Sequence, residues 1–168
     1  MASKPSPTAA GIAAMVVGFA AAGFGVFGLG MVGLQRMILS SLRDPKAADF
    51  IETAGALHHA WLINLPLWIL VGAALAWQGF RLRRRLPGAA ESVAALSLVS
   101  VVALISYGFD TMSVAPSFEK NFARGPWPFP VSIHAWMVFS MVTTIGVVSA
   151  ILITLAAFAW RARSASPA

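Results

Sequence analysis

The chain contains no cysteine. That excludes disulfides, thiolate-held metals, thiol nucleophiles and covalent attachment of a c-type haem. Charge is nearly as scarce: only 11% of the 168 residues are Asp, Glu, Lys or Arg, and six of these are acidic. A soluble domain carries about 25%, so a water-facing surface is excluded as well. With three histidines and one tyrosine, a bound cofactor has few nitrogen ligands to draw on. The remaining choices are oxygen and thioether sulfur.

Hydrophobic residues make up 58% of the sequence, and the mean hydropathy is +0.78. A membrane-spanning helix needs about 20 mainly apolar residues to cross a hydrocarbon layer of roughly 30 Å. Four stretches qualify, at roughly 10–34, 56–77, 93–109 and 131–160. The connections leave no room for a soluble domain. The expected fold class is therefore all-α: a four-transmembrane-helix bundle forming one integral domain over residues 1–168 in a lipid bilayer. The expected location is the bacterial inner (cytoplasmic) membrane. The first run follows Lys4 but is long for a secretory signal and lacks a clear small-residue cleavage pattern before Gln35 and Arg36. It reads as a retained helix.

The net charge of +6 does not point to nucleic acid, because the basic residues flank apolar spans. They act as topology signals. Arg81, Arg83, Arg84 and Arg85 follow the second span, and Arg161 and Arg163 follow the fourth. Those ends, with Lys4, are expected in the cytoplasm, which gives an N-in, C-in arrangement. Asp44, Asp49, Glu52, Asp110 and Glu119 then fall outside and only Glu91 inside, although Arg36, Arg43, Lys46, Lys120 and Arg124 share the outer side.

Several local features are informative. Gly11, Ala14, Gly18, Ala22 and Gly25 recur at helical spacing in the first span, which suits close packing within the chain, with Phe19, Phe24 and Phe27 filling space between neighbours. Asp44 and Pro45 suggest a helix start. A helix from there puts Asp49, Glu52, Ala56 and His59 on one face, provided Gly55 does not interrupt it. Asn64 is placed to help a carbonyl freed by Pro66. Trp61 and Trp77 fit an aromatic belt at the two boundaries. Ser97, Ser100 and Ser106 are expected to bond along or across helices. The connection from 111 to 130 ends in a proline-rich, aromatic segment suited to an extended lid. On the fourth span, His134, Met141 and Ile145 form a stripe that suits core packing.

The most specific signal is a repeated tripeptide, His59-Ala60-Trp61 and His134-Ala135-Trp136. Each copy opens an apolar run that closes on arginines, as two parallel-related helical hairpins would produce. His59 lies 22 residues before Arg81 and His134 lies 27 before Arg161, roughly 33 and 40 Å along a helix. Both fall near the outer edge of the apolar layer. His58 points about 100° away from His59, so one of the two is expected to share a site with His134.

Two neutral imidazoles on facing helices suit axial ligation of a haem b. Trp61 and Trp136 would pack on the macrocycle or the lid, and Arg124 or Lys120 would meet its propionates. Such a protein is a redox subunit of a respiratory complex, carrying electrons between a quinol and an outer partner. A different arrangement uses His59, His134 and Glu52 or Asp110 to hold copper or zinc. A third has no cofactor and makes the chain an accessory subunit of a larger membrane complex or a homo-oligomer. No span carries a charge near its centre, so a transporter is disfavoured.

Overall fold

A computed structural model describes residues 6–41, 48–122 and 133–163, with side chains described for 6–38, 40–41, 55, 61–113 and 138–163. These residues form four α-helices, α1 (Pro7–Ser41), α2 (Ala48–Arg83), α3 (Ala89–Phe122) and α4 (Ile133–Arg163). There is no strand among the described residues. All four helices are long and apolar enough to cross a membrane, so the chain is an all-α integral membrane protein.

The helices outrun the apolar stretches that predict them. At 35, 36, 34 and 31 residues they extend about 45 to 55 Å. They must therefore tilt or project beyond a hydrocarbon core of roughly 30 Å. α2 passes through both Gly55 and Pro66 without interruption, so Asp49, Glu52, Ala56 and His59 do share one helix. The expected start at Asp44 and Pro45 lies outside the described residues. α3 continues to Phe122, whereas a connection was expected from 111. No glycine stands between Asp110 and Phe122, and α3 passes through Pro116 as α2 passes through Pro66.

The helix ends at the arginine-rich pole are well capped. Ser6 Oγ accepts from the Ala9 amide at 3.1 Å, with Pro7 in the first helical position, a pairing that satisfies an orphan donor and pre-sets φ. α2 closes with the Leu86 amide donating to the Arg81 carbonyl at 3.0 Å and the Arg85 amide donating to the Leu82 carbonyl at 2.9 Å. This is a Schellman cap. Its left-handed position is held by Arg85 at φ 57°, where a glycine would avoid a steric cost of about 1–2 kcal/mol. Arg85→Gly should therefore stabilise the protein by about 1 kcal/mol, raising the detergent-solubilised melting temperature by roughly 2–4 °C. An unchanged or lower melting temperature would show that the Arg85 side chain contributes more than its backbone strain costs.

Each consecutive pair of helices is antiparallel. α1 meets α2 along a seven-residue series: Gly11 lies against the backbone of Gly79 and Arg83, Gly18 against Gly72 and Ala76, and Gly25 against Leu65 and Ile69. The contact is reciprocal, because Gly72 lies against Gly18 and Ala22, and Gly79 against Gly11 and Met15. A Cβ on Gly18 would sit 2.4 Å from the Ala76 nitrogen. Only glycine permits this approach, and it lets two backbones pack where lipid gives no hydrophobic drive. Gly23, Gly30 and Gly33 meet nothing within 4 Å.

The phenylalanines of α1 correct the sequence expectation. Phe19, Phe24 and Phe27 are 65%, 49% and 69% exposed, and do not fill gaps between helices. Glycine already closes the α1–α2 seam, which leaves no gap for them, and their rings turn outward where lipid accommodates them.

α3 lines its buried face with Val93, Ser97, Ser100 and Leu104, at spacings of four, three and four. Ser97 and Ser100 bond back to the carbonyls of Val93 and Leu96 at 2.8 and 2.7 Å, as their burial demands. α3 and α4 approach closely at Gly108, where a Cβ would meet Ile145 Cδ1 at 2.3 Å. At the arginine-rich pole Glu91 pairs with Arg163 at 2.8 Å, half-exposed. That contact sets register more than it adds stability. All four helices contribute to the core near this pole, including Ala14, Leu75, Val93 and Leu155. α1 and α4 make the thinnest of the neighbour contacts, which leaves α2 and α4 diagonally opposed.

Candidate functional site

The up-down-up-down order brings the N-terminal ends of α2 and α4 to the same pole of the bundle, away from the arginine-rich one. Below that pole the interior is closed by Leu65 and Trp68 of α2 and Leu104 of α3, which are 2%, 6% and 5% exposed. Above this apolar floor one polar pair joins two helices, the exposed Asp110 and the buried Asn64. Asn64, itself buried, donates from Nδ2 to Asp110 Oδ2 at 3.1 Å, joining α2 to α3. Thr111 is buried and bonds back to the Tyr107 carbonyl at 2.8 Å. On the fourth helix, Met141 Cγ lies 3.7 Å from the point where a Gly108 Cβ would stand, so Met141 and Ile145 act as packing residues, as their spacing implied.

The candidate residues divide clearly. Trp61 is half-buried and its indole nitrogen is shielded from solvent. It stands at the start of the apolar span of α2, and Trp77, near the other end, is 61% exposed. Trp77 also stacks on Phe80 at 5.8 Å, and Arg84 covers that Phe80 ring at 4.3 Å. Asp110, a candidate metal ligand, is brought to Asn64. Among the described residues no three His, Asp or Glu side chains gather. His58, His59 and Glu52 belong to α2, and His134 and Trp136 to α4, but their side chains lie outside the described set, as does Arg124 altogether.

The Asn64–Asp110 bond is the cross-helix contact that sequence reasoning missed, having reserved Asn64 for the Pro66 break. A signal for it existed. Asn64 stands 23 residues before Pro87 and Asp110 stands 23 after it, so folding the chain at that turn aligns them. A double-mutant cycle with Asn64→Ala and Asp110→Ala should give a coupling of about 0.5–1.5 kcal/mol in chemical unfolding. Additive effects would show that the bond contributes nothing.

An apolar floor, a half-buried indole and the N-terminal ends of two helices that each carry His-Ala-Trp lie at this pole. No protein-family model matches the chain, and neither does any curated protein or solved structure compared with it.

Proposed function

We propose that the chain is a small membrane redox subunit that holds one haem b between His59 of α2 and His134 of α4, near the pole opposite the arginines. The observation that carries this is the helix order. α2 and α4 stand diagonally across the bundle and run in the same direction, so the two copies of the tripeptide belong to the same end of opposed helices. Diagonal helices stand farther apart than the 8–10 Å of packed neighbours, which leaves room for a porphyrin and an imidazole on each face.

Register on α4 supports this reading. On α4, stepping back by sevens from the buried Ala162 and Leu155 leads through Val148 and Met141 to position 134. The series that lines the interior therefore ends on a histidine. On α2 the interior series Leu82, Leu75 and Trp68 leads to Trp61, about 200° round the helix from His59, so the place of His59 in the pair rests on the repeated tripeptide and not on register. The series Gly79, Gly72 and Leu65 leads to His58, on the side of α1. Depth can be counted from the described contacts. Position 59 lies five residues before Asn64, which answers to five beyond Asp110, or 115. Position 134 lies eleven before Ile145, which answers to eleven beyond Gly108, or 119. The offset of four residues is about 6 Å, which a tilted porphyrin spans.

Arg124 from the connection pairs with a propionate, while Trp61 and Trp136, about 200° round each helix from its histidine, turn away from the iron. With Lys4 and the arginine-rich pole in the cytoplasm, the haem serves transfer between a membrane quinol and an outer partner in the bacterial inner membrane. The copper or zinc arrangement needs Glu52 or Asp110 beside the histidines, and Asp110 already accepts from Asn64 through Oδ2.

The purified protein is expected to be coloured, with one iron per chain as haem b and a sharp low-spin reduced-minus-oxidised spectrum. A colourless preparation carrying copper or zinc would transfer the site to the metal alternative. Neither pigment nor metal would leave an accessory subunit.

A further inference from the structure

The thin contact between α1 and α4 opens an apolar groove of about 460 Å³ on the outside of the bundle, walled by Ala13 and Val17 of α1 and by Ile151, Thr154, Leu155 and Phe158 of α4. Its volume is on the scale of a single acyl chain. The one hydroxyl in the wall is not offered to a ligand, because Thr154 Oγ1 bonds back to the Ala150 carbonyl at 2.7 Å. The groove therefore selects hydrocarbon.

What makes it more than a lipid-facing crevice is the residue at its end. Ile151, Thr154 and Phe158 are spaced by three and four, and three residues further the same stripe reaches the exposed Arg161. From Ile151 to Arg161 the helix rises about 15 Å, so position 161 lies above the groove, toward the level where an acyl chain would meet its headgroup. The pole as a whole is strongly cationic, with Arg81, Arg83, Arg84, Arg85, Arg161 and Arg163 against the single acid Glu91. Basic sites between transmembrane helices favour anionic headgroups, at about 1 kcal/mol per nearby cation.

We infer that the α1–α4 groove binds one anionic glycerophospholipid, its acyl chain lying along Val17, Ile151 and Phe158 and its phosphate meeting Arg161. The site is independent of the haem proposal, since it lies on the outer wall of the opposite half of the bundle.

The full chain, solubilised in mild detergent, is to be loaded with phosphatidylglycerol or phosphatidylcholine and analysed by native mass spectrometry. One phosphatidylglycerol per chain should be retained in preference to phosphatidylcholine, and Arg161→Gln should weaken that retention about fivefold. Ala150→Phe, at an exposed position beside the groove, should abolish it by filling the space, and Thr154→Phe should do the same from the next turn. Arg84→Gln, which alters a cation just beyond the end of α2, should leave retention within about twofold. Equal retention of both lipids, equal losses from Arg161→Gln and Arg84→Gln, or full retention in both groove-filling variants would each overturn the proposal. So would displacement of phosphatidylglycerol by a neutral isoprenoid quinone whose binding ignores Arg161→Gln.

Discussion

Gly18→Ala is expected to cripple folding, and Gly23→Ala to leave it intact, although both add one methyl group to the same helix. At Gly18 the new Cβ would lie 2.4 Å from the Ala76 nitrogen and 2.6 Å from the Gly72 carbonyl oxygen. These are backbone atoms of α2, which no rotamer change can move. Relief requires the helices to separate, and separation opens the Gly11 and Gly25 contacts on the same seam. The cost should reach or exceed the upper end of the roughly 1–3 kcal/mol seen for overpacked cores. At Gly23 nothing stands within 4 Å, and alanine is the better helix former by about 0.5–1 kcal/mol. Chemical unfolding in detergent, with helicity followed by circular dichroism, separates the two. Comparable stability of both variants would mean that the α1–α2 seam is looser than described.

The second large effect is loss of the pigment. His134→Ala and His59→Ala should each abolish the low-spin spectrum while preserving helicity, because each would remove one of the two residues proposed to hold the haem. His58→Ala should keep the spectrum, since its position continues the series that packs on α1. His134→Gly should regain low-spin character when imidazole is added. A merely structural histidine would not respond in that way. Loss of the spectrum in His58→Ala with its survival in His59→Ala would reassign the α2 ligand by one residue.

Much of the fold could be read from the sequence because a bilayer demands it. An unsatisfied backbone is so costly in hydrocarbon that apolar runs of this length must be helical. The glycine series was visible too, since Gly11, Gly18 and Gly25 answer to Gly79 and Gly72 at the same seven-residue interval. The rest depended on information that pattern does not hold. Hydropathy marks where a helix enters the membrane and is silent on where it stops, so the extension of α3 to Phe122 went unseen. An exposed Phe27 and a buried Trp68 look alike in a uniformly apolar span, because lipid and core attract the same side chains. Of the candidate site, the polar pair Asn64–Asp110 could be read only by folding the chain about Pro87, and the partial burial of Trp61 only from its neighbours. The histidines stood out through repetition alone.

The claim that matters most is that two imidazoles share one iron. Nitrogen-resolved electron-spin-echo spectroscopy on the oxidised protein, with its histidines labelled by nitrogen-15, counts them directly. Two equivalent histidine nitrogens on a single low-spin haem iron are predicted, and one of them should vanish on loss of either His59 or His134. A spectrum with one histidine nitrogen, or with none, would contradict the paired-ligand account.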